Sequence, residues 1–321
     1  MQIDNSTLRT YTDCNVKGML SNVLHRKPQT DGEASWFGTQ FHKFPQFYWQ
    51  PGDKWKQILI EFEDRYKLFI EKQAQLGKLG DSETIKPHVF LNMATQFVQQ
   101  VPRVVNDQNE VILLDAQTKH PIFKVRHRPE IGFKFPIGSE GDEYIGRLDT
   151  LLEDFSGHLW IADIKTTGKY NRDKATGEAI PQFTWKQQFT LSTQFSGYIR
   201  GVQHNTNQPV AGAVIFAIPR AEKKIRVELI RVRRTEEQLE QWERMTVRLI
   251  NQFKRDKHYI ETYDYEGLKD IVPTGAYSGA CTRFGICPYH EICKWSYAPG
   301  IIEQTTVFKP WNPLAEQEED C

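Results

Sequence analysis

Apolar residues return every three or four positions along two stretches of the first hundred residues. Trp55, Ile58, Phe62, Tyr66 and Phe69 do so and predict an amphipathic helix over about 53–76. Val89, Phe90, Met93 and Phe97 predict a second helix over 87–101. Upstream, 6–26 reads as helical with Ser6 as its cap, and Trp36 to Lys43 is a short apolar stretch ending at Pro45. The texture changes after residue 110. Segments 111–114, 122–135, 143–153 and 158–166 are rich in β-branched and aromatic residues, and Gly138-Ser139 and Ser156-Gly157 mark turns between the later ones. They predict an antiparallel meander. Helical patterning returns over 183–204. The continuous apolar run 210–218 predicts a buried strand, and 225–233 alternates as another. Thr235, with Gln238 three residues on, reads as a capping box that opens a helix running to about Tyr259.

The central order is therefore helix, three strands, helix, strand, in an α/β chain without internal repeats. A helical insertion (53–101) and two terminal pieces (6–26 and 275–297) surround it. We expect one domain over 1–310 and a flexible acidic tail over 311–321. Hydrophobic residues make up 39% and charged residues 26% of the 321, a balance that excludes a disordered chain. No run reaches a membrane-spanning length, and the first residues lack a basic segment followed by an apolar one, so a cytoplasmic protein is expected, in a host cytoplasm if viral. The 41 basic and 41 acidic residues cancel, so net charge does not announce a nucleic-acid binder. Local basic clusters exist at Lys165, Lys169, Arg172 and Lys174 and at Arg231, Arg233 and Arg234. A local basic groove is one reading, and a solvated charged face is the commoner explanation of any one cluster.

Chemistry concentrates in two adjacent strands. Gly146-Arg147-Leu148-Asp149 lies on one and Trp160-Ile161-Ala162-Asp163-Ile164-Lys165 on the next, joined by a hairpin turn at 154–157. Side chains alternate along a strand, so Asp163 and Lys165 share a face, and pairing outward from the turn brings Asp149 opposite Asp163 within about one residue. Two adjacent carboxylates in a strand repel, and a divalent cation relieves that cost. The two strands alone fit equally well a half-exposed hairpin in which Lys165 bridges a carboxylate.

Asp149, thirteen residues, then Asp163-Ile164-Lys165 resembles the signature of the PD-(D/E)xK nuclease superfamily, whose restriction-endonuclease-like core has the same α-β-β-β-α-β order, a mixed sheet flanked by helices. Gly38-Thr39-Gln40-Phe41-His42 is similar to the Gly-x-x-x-His helix of the RecB-like exonuclease branch, and Gln194-Phe195-Ser196-Gly197-Tyr198 to its Gln-x-x-x-Tyr helix. The resemblance implies that His42, Asp149, Asp163 and the backbone carbonyl of Ile164 hold Mg²⁺ or Mn²⁺. It also implies that Lys165 positions the attacking water and that Gln194 and Tyr198 contact DNA or brace the site. Glu130, on the preceding strand, is a further acidic candidate or an exposed strand carboxylate.

Three of the five cysteines, Cys281, Cys287 and Cys293, fall within thirteen residues, and Cys14 lies near the other end. Four thiolates can hold an iron–sulfur cluster or zinc. The arrangement resembles the iron–sulfur subset of the branch, which includes AddB and the CRISPR-adaptation exonucleases and implies a structural [4Fe–4S] cluster joining the chain's ends, with zinc as the alternative. That subset spaces its last three cysteines C-x2-C-x5-C; here the spacing is C-x5-C-x5-C, and Phe284 stands where the first of the close pair would fall. Cys321 reads as an unrelated free thiol. Taken together, the resemblance implies a DNA exonuclease acting on single-stranded or duplex ends in recombination, repair or end processing, such as a phage-encoded enzyme with a recombination or repair partner. The competing expectation is a catalytically inactive DNA-binding or assembly subunit of a recombination or CRISPR-adaptation complex.

Overall fold

The computed structural model describes residues 1–29, 33–75, 86–126, 131–271, 279, 281–282 and 286–310. The chain starts with β1 (Gln2–Ile3) and α1 (Asn5–Asp13); Asp4, not Ser6, caps α1, its carboxylate accepting the Thr7 N–H at 2.8 Å. The single helix predicted over 6–26 breaks at Cys14. Its extended backbone (φ −161°, ψ 113°) ends α1 and starts α2 (Asn15–Asn22). Close packing sets this corner, since a Cβ on Gly18 would lie 2.6 Å from the Tyr11 Cα. After β2 (Arg26–Pro28), α3 (Glu33–Tyr48) runs through Pro45 instead of stopping before it. Proline forfeits one helix bond. Burial of Phe41, Phe44 and Tyr48 offsets that loss, and the ladder resumes with the Trp49 N–H donating to the Pro45 carbonyl at 2.8 Å. Next come α4 (Lys54–Gln75) and α5 (Pro87–Gln100), where the periodicity places them, with Pro87 in the first turn of α5.

The strand region is β3 (Arg103–Val105), β4 (Val111–Leu114), β5 (Pro121–Val125), β6 (Ile131–Ile137), β7 (Asp142–Leu148), β8 (Thr150–Glu153) and β9 (Leu159–Thr167). Two predicted long strands, 122–135 and 143–153, are each divided. Their outer halves β5 and β8 join one sheet, while β6 and β7 join another with β1. A hairpin of β10 (Tyr170–Arg172) and β11 (Ala179–Pro181) follows, then α6 (Phe183–Gln187), α7 (Thr193–Thr206), β12 (Val210–Pro219) and β13 (Glu228–Val232). The capping box predicted at Thr235 is present: its N–H donates to Gln238 Oε1 at 3.0 Å, and the Gln238 N–H donates to Thr235 Oγ1 at 3.2 Å. It opens α8 (Glu236–Ile271), which continues twelve residues past Tyr259 because Ile260 and Leu268 stay buried, with a non-helical break at Asp264 (φ 51°). The chain ends its regular structure with α9 (His290–Lys294), α10 (Pro299–Thr305) and β14 (Thr306–Phe308), which pairs with β2.

The elements form two compact units. The first comprises Met1–Asp31, Phe133–Gly146 and Thr235–Cys321. In it β1 pairs in parallel with β7, and the buried Asp142 carboxylate takes Lys254 Nζ at 2.6 Å, tying the middle piece of chain to the last. The second comprises Gly32–Gly132 and Arg147–Arg234 and holds a seven-stranded sheet in the order β13-β12-β9-β8-β5-β4-β3. All its pairs are antiparallel except β9 with β12, which makes the sheet mixed. Alternation splits β12 between two layers. Val214, Phe216 and Ile218 join the core built with α3, α4 and α5, and Ala213, Ile215 and Ala217 are buried on the opposite face.

Gly212 marks the entry into that strand. Its φ is +151°, the register of β12 against β9 shifts there, and a Cβ would stand 2.3 Å from the Val232 carbonyl oxygen. Gly212→Ala is expected to cost about 3 kcal/mol, read as a lower urea midpoint at unchanged m-value.

Candidate active site

The second unit concentrates the predicted chemistry at the point where β8 stops. β8 pairs with β9 through Thr150↔Ala162, so Asp149, one step earlier, falls opposite Asp163. Asp149 itself is not in a strand. It occupies the bend between β7 and β8, and its Oδ2 accepts the Ile164 N–H at 2.8 Å, continuing with a side chain the ladder that the backbone has left. His42, from α3, brings Nδ1 to 3.5 Å from the same Oδ2. Asp163 and Lys165 project from one face of β9, and Lys165 Nζ donates to Asp163 Oδ1 at 3.0 Å. Asp163 Oδ2 lies 2.9 Å from Nζ as an ion-pair contact, yet it is buried and accepts no hydrogen bond.

Burial sets the electrostatics. Asp163 is 2% exposed, Asp149 18% and Lys165 26%. Burial pushes the Asp163 carboxyl up to about 6; Lys165 and His42 oppose the rise and the neighbouring Asp149 charge adds to it. Burial acts on Asp149 in the same sense, but His42, Lys165 and the Ile164 N–H together outweigh it and hold this carboxyl below the usual range. Two facing carboxylates are thus driven apart in proton affinity by their surroundings, a pattern common at catalytic sites.

Gln194 and Tyr198 stand one turn apart on α7, as the spacing predicts, and Gln194 Nε2 donates to the Tyr198 hydroxyl at 2.8 Å. Glu130 lies outside the described residues.

The four predicted cluster cysteines belong to the first unit. Cys14 sits at the α1–α2 corner, Cys281 accepts the Cys287 N–H at 2.9 Å through its carbonyl, and Cys293 is on α9. All four are partly buried, and none is in a disulfide among the described residues. They lie within electrostatic reach of one another. Burial, followed by the charges of Cys14, Cys287 and Cys281, pushes the Cys293 thiol up to about 12, and burial with Cys287 and Cys281 raises that of Cys14. Cys321 and Phe284 lie outside the described residues. Among the described residues, no group of three or more His, Cys, Asp or Glu stands close enough together to hold a metal ion, at the carboxylates or at the cysteines, and no helix is long and apolar enough to cross a membrane.

Two features of the second unit escape a reading of the sequence. The Ile164 amide, expected only as a carbonyl ligand, acts here as the donor that fixes Asp149. Arg220 closes β12, its N–H donating to the Thr167 carbonyl at 2.7 Å, and its guanidinium passes over Gly168. The signal for Arg220 was its position, one residue beyond a buried strand parallel to β9, where open α/β sheets place ligand contacts.

No curated protein matches the chain. Among solved structures, it is similar to a candidate exonuclease from Eubacterium rectale at 11% identity and a TM-score of 0.42, over 80% of this chain and 81% of that one. The family model described as the PD-(D/E)XK nuclease superfamily matches residues 5–294, which span the α3 histidine, the Asp149–Asp163–Lys165 hairpin and all four clustered cysteines. With a mixed sheet flanked by helices and that match along most of its length, the chain belongs to the PD-(D/E)XK nuclease superfamily.

Proposed function

We propose that the protein is a metal-dependent DNA exonuclease of the RecB-like branch, trimming single-stranded or duplex ends in recombination, repair or end processing. The observation that carries this reading is the buried Asp163, whose Oδ2 has the Lys165 ammonium as an ion-pair contact but no well-aligned hydrogen bond, set against Asp149 and His42. A buried anion beside a second carboxylate and an imidazole fits a hard divalent cation in donor type and charge. In this reading His42, Asp149, Asp163 and the Ile164 carbonyl hold Mg²⁺ or Mn²⁺, which when bound activates water and offsets charge on the leaving oxygen. The chain's own groups do the rest. The Ile164 N–H fixes Asp149, Lys165 orients the water and balances phosphate charge, and Gln194 with Tyr198 contacts DNA or braces the site.

The cysteines enter the same reading as ligands of a structural [4Fe–4S] cluster, or of zinc, held by Cys14, Cys281, Cys287 and Cys293 within a nuclease domain over 1–310. Their mutual electrostatic coupling supports a shared site, although the thiols are not drawn into a closed ligand set.

Protein purified without oxygen is expected to degrade end-labelled DNA only with Mg²⁺ or Mn²⁺, and Asp149→Ala is expected to lose that activity. The order in which label is released reports polarity. Folded protein that cuts no single- or double-stranded DNA with either metal would promote the inactive DNA-binding subunit instead.

A further inference from the structure

Among the described residues, one cation of the second unit has few partners for its burial. Among the described residues Arg220 Nε, which is buried, has no hydrogen-bond acceptor, and Nη1 reaches the Ala34 carbonyl at 3.5 Å. Among the described residues the single carboxylate acting on it is Glu33, one of whose oxygens already accepts the Tyr66 hydroxyl at 3.0 Å. Burial disfavours the charge, and Glu33 recovers part of that cost. A guanidinium is a planar fork of five donors and is not deprotonated in proteins, so open donors on a half-buried arginine suit an oxyanion. Arg220 as a whole is partly exposed, so an anion can reach it.

Its location gives the anion an identity. Ala34, Gly38 and His42 recur every four residues on α3 and so form one stripe of that helix. Along this stripe Ala34 meets Arg220, Gly38 meets Thr166, and His42 meets Asp149. At Gly38 the helix shows bare backbone: an added Cβ would touch only Thr166 Oγ1, at 3.7 Å. Eight residues of helix advance roughly 12 Å. The parallel route along β9, from Asp163 to Thr167 beside Arg220, advances roughly 13 Å. A stacked strand places one phosphate about every 3.4 Å.

We infer that Arg220 is a phosphate-binding residue that grips the substrate strand within about four linkages of the scissile one, along the α3 stripe between Arg220 and His42. This rests on reading the His42–Asp163 group as the cleavage centre. It adds to that reading a contact which sets register and affinity and takes no part in bond breaking.

The test uses the full chain and a fluorescein-labelled single-stranded 20-mer in EDTA, followed by anisotropy over a range of salt. Arg220→Gln should bind about tenfold more weakly and reduce the slope of log K against log salt by about 0.7, the value of one single-strand phosphate contact. A scan with one neutral methylphosphonate at each linkage should find a position that costs wild type affinity and costs Arg220→Gln nothing. Arg220→Lys keeps the charge without the fork. It should keep the slope and lose severalfold in affinity, and it decides the matter if the Gln variant does not fold. An unchanged slope with an identical scan in the Gln variant, or a Lys variant that matches wild type at every linkage, would overturn the assignment. Because binding is read without turnover, a wild type that binds but never cuts with added metal would sink the cleavage reading alone.

Discussion

Asp163→Asn is expected to abolish cleavage and at the same time to raise the melting temperature of the metal-free protein. The activity loss should be roughly a thousandfold or more, because the substitution removes one of the two facing carboxylates on which the proposed hydrolysis depends. The stability gain follows from burial. Asp163 is 2% exposed, faces a second carboxylate, and carries a carboxyl raised from 3.8 to about 6. A raised carboxyl binds more protons folded than unfolded. Its contribution to stability is therefore full below about 3.8 and is lost as pH rises through about 6. At pH 7.5 the folded state bears the whole cost of the buried charge, and Asn removes it while keeping an oxygen for Lys165. Loss of the ion pair does not reverse the sign. Lys165 stays partly solvated and within the field of Asp149, and the raised carboxyl already includes the help that Lys165 gives. Melts of both proteins in EDTA at pH 5 and 7.5 check this: the gap should be full at 7.5 and roughly half as large at 5. A variant less stable than wild type at pH 7.5 would mean that Lys165 depends on Asp163 more than Asp163 costs the fold.

Phe90→Ala should give the largest loss of stability, about 3 to 5 kcal/mol, or roughly 10 °C in melting temperature. Phe90 is fully buried, stacks on Phe62 with ring centroids 3.7 Å apart, and meets Phe37 and Phe41 edge-on at 5.9 and 5.4 Å. Those two rings belong to α3, five residues and one residue before His42, so the cavity opens beneath the helix that delivers the imidazole. Residual folded Phe90→Ala is expected to need more Mn²⁺ for half-maximal activity, with kcat less affected. Phe90→Leu, which refills most of the volume, should recover most of both. A metal requirement unchanged in folded Phe90→Ala would show that His42 is placed by its immediate neighbours and not by the aromatic core.

Where periodicity reports burial directly, the sequence reads well. The 3.6-residue pattern from Trp55 to Phe69 became α4 within a residue or two, and the apolar run 210–218 became the strand β12. The capping box at Thr235 and Gln238 is legible because both of its hydrogen bonds join residues three apart. The failures have a common cause. Alternation over 143–153 looks like one strand because both halves bury side chains, but nothing in that alternation says that the halves enter different sheets, with the break at Asp149. Pro45 misleads in the opposite way, since tertiary burial of Phe41, Phe44 and Tyr48 outweighs one missing bond. At the site, the Asp149–Asp163 register was legible because a hairpin fixes it locally. Arg220 was not, because its sparse pairing among the described residues is a property of distant chain segments.

The division of the chain into interleaved pieces has a consequence for its birth on the ribosome. Every residue of the second unit, hairpin and α3 included, has been synthesised once Arg234 is added. The first unit has by then only Met1–Asp31 and Phe133–Gly146; Lys254, which holds Asp142, and three of the four clustered cysteines are still to come. The second unit can therefore assemble while the first waits with two short pieces in hand, and a chain released after Arg234 would carry Asp149 and Asp163 already paired in their sheet while the first unit is unfinished.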